Sequence, residues 1–166
     1  MKLGDGVEWA IHCAMLLGGL PPGGLLSGKA LAEFHGVPEN YLLKHLKALT
    51  DHGILESLTG PKGGYRLARN PEDISLLDIV EAVEGGKPAF RCTEIRRRGP
   101  CALDDSAYPR PCGINRAMQR AEQSYREALA QENLKALTEE FMTTADKRFL
   151  PRAVEWFTVN TRMPKS

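Results

Sequence analysis

ILESLTGPKGGYRLARNPEDISLLDIVEAVEG, residues 54–85, decides the fold. Two short runs, ILESL and YRLAR, flank the glycine-rich turn TGPKGG, a pattern that predicts a two-stranded β-hairpin. Asn70-Pro71 then punctuates the chain, and ISLLDIVEAVEG reads as a helix capped by Ser75. Leu76, Leu77, Ile79, Val80 and Val83 form its inward stripe, and Gly85-Gly86 end it. Upstream, Ser27 is a helix cap for a segment through His35 that turns Ala30, Leu31 and Phe34 inward. Gly36 makes a tight turn. Pro38 suits the first position of the next helix, with Glu39 favourable at its positive end. That helix runs to about His52, with Tyr41, Leu42, His45 or Leu46, and Leu49 inward. Two short helices on a glycine turn, followed by a hairpin, make a winged helix-turn-helix.

The flanks extend this picture. Val7 to Leu17 has helical spacing at Val7, Ala10, Ile11, Ala14 and Met15, and Gly18-Gly19 with PPGG at 21–24 end that helix. Residues 87–112 lose all periodicity and hold Cys92, Cys101 and Cys112, four prolines and the run Arg96-Arg97-Arg98. A long helix starts at Gly113, with Ile114, Met118, Ala121, Tyr125 and Ala128 alternately four and three apart. A narrow seam of this kind on a long helix predicts pairing with its twin in a homodimer. Asn133 is placed to cap a shorter helix, LKALTEEF, and the tail from about Lys147 is expected to be less ordered. The expected fold is therefore mostly α. Residues 1–86 make the winged helix-turn-helix unit, 87–112 a cysteine-bearing loop, 113–146 the dimerisation helix with its short successor, and 147–166 the tail.

Composition narrows the function classes. In 166 residues, 42% are hydrophobic and 26% charged, ordinary for a soluble globular chain. No apolar run approaches the roughly 20 residues that span a bilayer, and MKLGDGVEWAIHC carries acids where a signal peptide needs an apolar block, so a cytoplasmic, non-membrane protein is expected. Four cysteines in that compartment are reduced thiols or metal ligands before they are disulfides. The spacing C-x8-C-x10-C is too wide for a zinc knuckle. No nucleophile–base pair is apparent, and GPKGG lacks the lysine–hydroxyl ending of a phosphate loop, so no enzyme is expected. Net charge is only +1, so a nucleic-acid face must come from charge placement.

That placement predicts double-stranded DNA as partner. Asn40 stands near the start of the second helix of the pair, to read an adenine edge or bond a phosphate, with Tyr41, Lys44, His45 and Lys47 following on that helix. The hairpin adds Lys62, Gly63 and Arg66, with Arg69 beyond them. Ser27 and Lys29 open the first helix of the pair, where backbone N–H groups meet phosphate. Leu43 either reads a base methyl or packs. Glu8 and His12, four apart, share one helix face, and Cys13 beside them reads as a packing residue. Arg91, Arg96, Arg97 and Arg98 would lower the loop thiols' pKa and balance a cluster's negative charge.

The stretch GPKGGYRLARNPEDISLLDIVEAVEG resembles the wing and following helix of IscR/NsrR-type winged-helix transcriptional regulators, and the fit extends from Lys2 to about residue 145. The resemblance implies a homodimer that sets one recognition helix per protomer in the major groove of a pseudo-palindromic operator. In a subset of such regulators, three loop cysteines hold an iron–sulfur cluster that senses redox state or nitric oxide and controls operator affinity. MKLGDGVEWAIHC with CTEIRRRGP looks most like a redox-sensing, RsrR-like branch. There a [2Fe–2S] cluster takes Glu and His from the first helix of one subunit and cysteines from the other. The resemblance thus implies Cys92, Cys112, Glu8 and His12 as metal ligands, with Cys101 the additional candidate and Trp9 a redox-responsive rotamer switch. If all three cysteines bind, either Glu8 or His12 is displaced or the cluster is [4Fe–4S]; [2Fe–2S] is favoured. The sequence departs from the IscR pattern in having no histidine after Cys112 and in its longer loop. The rival expectations are a cluster-free thiol-based or small-ligand regulator and, from another class, an iron–sulfur scaffold protein.

Overall fold

The computed structural model describes residues 3–164. It contains seven α-helices and one antiparallel hairpin among them. Helix α1 (Asp5–Gly18) buries Val7, Ala10, Ala14 and Leu17, one face at helical spacing, together with Cys13. Helix α2 (Gly28–His35) is capped as expected: the Ser27 hydroxyl accepts from the Ala30 N–H at 3.1 Å. Gly36 follows in the left-handed conformation, φ 65°, which lets the chain turn sharply into α3 (Glu39–Asp51). Pro38 stands one position earlier than expected, as the residue before the helix.

Strands β1 (Leu55–Leu58) and β2 (Gly64–Leu67) pair antiparallel, Leu55 opposite Leu67 and Leu58 opposite Gly64. Helix α4 (Leu76–Glu84) opens with a capping box in which the Asp78 N–H donates to the Ser75 hydroxyl and the Ser75 N–H to the Asp78 carboxylate. Helix α5 (Gly113–Gln131) is the long one. Helix α6 (Leu134–Thr144) is capped by Asn133, whose side chain accepts from the Ala136 N–H at 2.9 Å.

One core joins α1, α2, α3, α4 and the base of the hairpin. Leu26, Leu31, Leu42, Leu46, Leu49, Ile54, Ile74 and Ile79 are fully enclosed there, and Leu134 of α6 enters the same cluster. Each such side chain contributes roughly 1.5–3 kcal/mol by leaving water. Two details depart from the sequence expectation. Tyr41 points out, 68% exposed, so the inward stripe of α3 is Leu42, Leu46 and Leu49. Position 41 lies about 100° around the helix from Leu42, at the flank of that triad. Phe34 is half-buried, and it packs on Trp156 at 4.6 Å between ring centres.

The tail departs further. Residues Phe149–Asn160 form helix α7, with Ala153 buried and Trp156 and Phe157 packed on the core. Beyond it the chain returns to the hairpin. Arg162 and Leu25 exchange backbone hydrogen bonds at 2.8 and 2.9 Å, and Leu26 does the same with Tyr65 at 2.8 and 3.1 Å. The Arg162 guanidinium donates to the Gly63 carbonyl at 2.8 Å, holding the hairpin turn from outside. Gly63 and Gly64 must be glycine: a Cβ on either would meet backbone oxygen, Leu58 O at 2.1 Å and Leu26 O at 2.5 Å. Arg162→Ala should therefore loosen the turn without unfolding the core. Amide exchange near Gly63 should rise about tenfold, the loss of one net hydrogen bond. Unchanged exchange in a mass-spectrometric time course would contradict this.

Candidate functional site

Helix α3 separates its chemistry by face. Leu42, Leu46 and Leu49 are buried, whereas Asn40, Lys44 and Lys47 are exposed on the opposite side and Tyr41 is exposed at its edge. The helix therefore offers an amide, a phenol and two ammonium groups as one outward row. Lys47 is engaged with Asp51 at 2.6 Å, an exposed pair of small energetic weight that phosphate can replace. Lys29 stands 3.7 Å from Glu33 on α2 under the same condition.

On the hairpin, Arg66 forks onto Glu56 through Nε and Nη2 at 2.9 and 3.0 Å. This pairing raises the arginine's pKa and lowers that of the carboxylate. Arg69 reaches Asp78 at 3.6 Å. Lys62 is exposed in the turn, and Ser27 is committed to capping α2 beside it. Leu43 settles as a packing residue: it lies over Gly28, where a Cβ would come within 2.6 Å of its methyl.

The cysteine loop is organised by Glu94, which the sequence analysis passed over. Glu94 holds a left-handed backbone, φ 49°, the single non-glycine residue with positive φ among those described. Its carboxylate accepts from the Cys112 N–H at 3.2 Å, the Cys92 thiol at 3.6 Å and Arg96 at 2.7 Å. These contacts bring Cys92 and Cys112 onto one carboxylate. Cys112 is the N-cap of α5 and only 8% exposed, so the expectation that a shared loop disfavours burial fails for this residue. Its thiol pKa is lowered, first by the backbone N–H groups of Asn115 and Ile114 at the helix start, then by the Arg96 charge.

Of the four arginines near the loop, Arg96 is the one that acts on the thiols; Arg97 pairs with Asp105 at 2.8 Å and Arg98 bonds the Thr93 carbonyl. Arg96 is itself fixed by the Tyr108 ring, 5.2 Å away, whose hydroxyl donates to the Arg96 carbonyl. Cys101 is exposed and joins none of these contacts. The signal available in sequence was a lone acid two residues after a cysteine and two before an arginine.

The fourth cysteine is different. Cys13 is buried in α1, and burial pushes its thiol up to about 12. Labelling the native protein with iodoacetamide should therefore modify Cys101 first and Cys13 only after unfolding, as peptide mass spectrometry would read. Early modification of Cys13 would contradict its burial.

On α1, Glu8 and His12 are both exposed, one turn apart on one face. Within one chain they do not join the cysteines: among the described residues no three His, Cys, Asp or Glu side chains converge as a metal site. Trp9, half-buried between them in sequence, meets the edge of His45 on α3 at 6.2 Å and 83°. His45 also lies over Gly6, where a Cβ would come within 2.2 Å of its ring. Burial, then the neighbouring Lys44, lower the His45 pKa, and Glu84 opposes them. The Glu84 carboxylate in turn accepts from the Gly4 N–H at 2.9 Å. The start of α1, the middle of α3 and the end of α4 thus meet at one point.

Comparison with known proteins places this architecture. Residues 3–140 match the Rrf2 family, described as iron-dependent transcriptional regulators. A protein of Lactococcus lactis named as HTH-type transcriptional regulator YffB is 30% identical over 140 residues, 84% of this chain and 88% of the relative. The HTH-type transcriptional regulator NsrR of Bacillus subtilis is 26% identical over 82% of this chain and 90% of its own. Among solved structures, that of CymR, the global cysteine regulator of B. subtilis, superposes with a TM-score of 0.65 at 21% identity, covering 84% of this chain and 98% of that one. These relatives are regulators rather than enzymes, as the sequence led one to expect, and no helix among the described residues is long and apolar enough to cross a membrane. A two-helix reader with an exposed polar row, a hairpin wing beside it and a match across most of its length make this chain a member of the Rrf2 family of winged-helix, DNA-binding transcriptional regulators.

Proposed function

We propose that the protein is a homodimeric regulator whose operator affinity is set by an iron–sulfur cluster shared between subunits. The observation that carries this reading is the Glu94-centred pairing of Cys92 with Cys112, one of them a thiol with lowered pKa at a helix start. The donor chemistry fits a cluster. Two soft thiolates suit iron–sulfur ligation, and a nearby guanidinium offsets their charge. Glu8 and His12 supply a second, oxygen- and nitrogen-bearing pair that is exposed and has no place beside the cysteines of its own chain, so the partner's loop is the source that completes four. A [2Fe–2S] cluster is favoured, with Cys101 outside the set because it is exposed and apart from the Glu94 contacts.

Such a cluster, when bound, supplies a one-electron centre whose potential the histidine raises relative to thiolate ligation. Glu94 and Arg96 then hold Cys92 and Cys112 in place, and Glu8 and His12 fix the attitude of α1. Trp9 transmits that attitude to His45 on α3. Exposed Ile114 and Met118 (66% and 42%) on the narrow seam of α5 support pairing of two such helices. Two recognition helices would then meet half-sites about one helical turn apart or a multiple of it, with Asn40, Tyr41, Lys44 and Lys47 in the groove and Lys62, Gly63 and Arg66 at the flank. Ser27 and Lys29 would face phosphate.

The test is anaerobic gel shift of cluster-loaded and cluster-free protein on the DNA upstream of its own gene. A coupling of about 1–3 kcal/mol predicts affinities differing 5- to 150-fold. Equal affinity would refute the reading. The convergence of Cys92 and Cys112 on the Glu94 carboxylate favours one other reading, a disulfide-forming thiol regulator. It predicts colourless protein whose DNA affinity changes with a dithiol reductant alone.

A further inference from the structure

The hairpin wing is a weak element by itself. Strands β1 and β2 are four residues each, and an isolated two-stranded hairpin is marginal in water. Its turn carries Gly60, at φ 104°, and Gly63, residues with wide conformational freedom when nothing restrains them. Two further segments restrain them here. Leu26 pairs with Tyr65 of β2, and its neighbour Leu25 turns to the other edge and pairs with Arg162. The Arg162 side chain then reaches across to the turn. Its Nη1 donates to the Gly63 carbonyl at 2.8 Å and to the Pro61 carbonyl at 3.4 Å, the residues on either side of Lys62.

This grip has an anchor. The Thr161 N–H donates to the Phe157 carbonyl at 2.8 Å and closes α7, while Trp156 of α7 packs on Phe34 of α2. Helix α2 is the first of the DNA-reading pair, so a short path from α2 through α7 to Arg162 ties the wing turn to that pair. Trp156, Phe157 and Arg162 all lie past residue 140, where the family match ends.

We propose that Arg162 is a positioning residue for DNA binding: without touching a nucleotide, it holds the wing turn so that Lys62 meets the flanking phosphate already oriented. Arg162 is half-buried and spends its donor on the turn, whereas Lys62 is exposed. A lysine on a free turn must give up backbone and side-chain freedom on binding, and fixing the turn beforehand removes part of that cost. Resting on the reading of the wing as a flank contact, the role is one of affinity and not of sequence choice, because phosphate contacts position without specifying.

The probe is a duplex selected from a random-sequence library by the full-length wild-type protein, with every variant prepared anaerobically with iron and sulfide. Arg162→Ala should weaken binding about tenfold, the worth of one net hydrogen bond. Arg162→Met, which keeps the aliphatic stem and the backbone pairing but not the donor, should do the same, and it decides alone if the alanine variant fails to fold. Lys62→Ala should weaken binding at least as much and lower the salt slope by about one. Combining Lys62→Ala with Arg162→Met should give the affinity of Lys62→Ala within about twofold, because a brace has nothing to orient once the lysine is gone. Wild-type affinity in the folded Arg162 variants, beside a weakened Lys62→Ala, would overturn the brace and leave the wing contact standing. Losses that multiply in the combined variant would overturn it as well, and a further drop of about one in the salt slope would make Arg162 itself a phosphate contact. Wild-type affinity in Lys62→Ala would remove the wing contact, and the brace with it.

Discussion

Cys112→Ser is expected to leave anaerobically prepared protein, reconstituted with iron and sulfide, without visible absorbance. The same treatment of Cys101→Ser should yield coloured protein. The contrast follows from what each sulfur touches. Cys112 lies at the start of α5, where two backbone N–H groups and Arg96 favour its thiolate, and it shares the Glu94 carboxylate with Cys92. Cys101 is exposed with no part in that arrangement. The serine variant should fold, because Cys112 is the N-cap of α5 and serine is among the best residues for that position. Loss of colour therefore reports on the sulfur and not on the helix. Glu94→Ala should be intermediate: removing the group that orients two ligands costs about 10- to 100-fold in affinity for the metal centre. Full cluster absorbance in Cys112→Ser would end the proposed ligand set.

Leu46→Ala should destabilise the protein by about 2–5 kcal/mol, the range for removing a fully enclosed leucine from a packed core. Leu46 is 0% exposed and sits in the cluster that joins α1, α3 and α4. Against a typical total of 5–15 kcal/mol, that loss is a large share. DNA binding should fall with the folded fraction and recover at low temperature or with stabilising osmolyte. Tyr41→Ala, one helical face away and 68% exposed, should change stability by less than about 0.5 kcal/mol. Equal melting temperatures for Leu46→Ala and wild type would contradict the burial assignment.

The elements that could be read from sequence are those whose signals are local. Ser75 and Asp78 sit three apart and close a capping box, Ser27 caps α2, and Gly36 supplies the one backbone conformation that the turn between α2 and α3 requires. Tyr41 was misplaced because an aromatic next to Leu42 fits an apolar stripe as well as an exposed row, and only the phase set by Leu46 and Leu49 decides. Helix α7 was missed for a different reason. Its order depends on distant partners, Trp156 on Phe34 and Arg162 on Leu25 and Gly63, which no window of adjacent residues contains. Glu94 escaped notice for the same reason: its role rests on a left-handed backbone and on Cys112, eighteen residues away. The ligand candidates on α1 and in the loop were readable as residue types at spacings. In the proposed reading their assembly needs two chains, which one sequence does not arrange.

The contact of Gly6 with the His45 ring has a mechanical meaning. Where α1 crosses α3 there is no clearance even for a methyl group. So close a contact passes displacement on, and a tilt of α1 should be felt by α3 through the His45 ring. Gene control in this protein should then proceed by repositioning intact helices, with hydrogen-exchange protection along Leu42–Leu49 the same in the DNA-bound and released states.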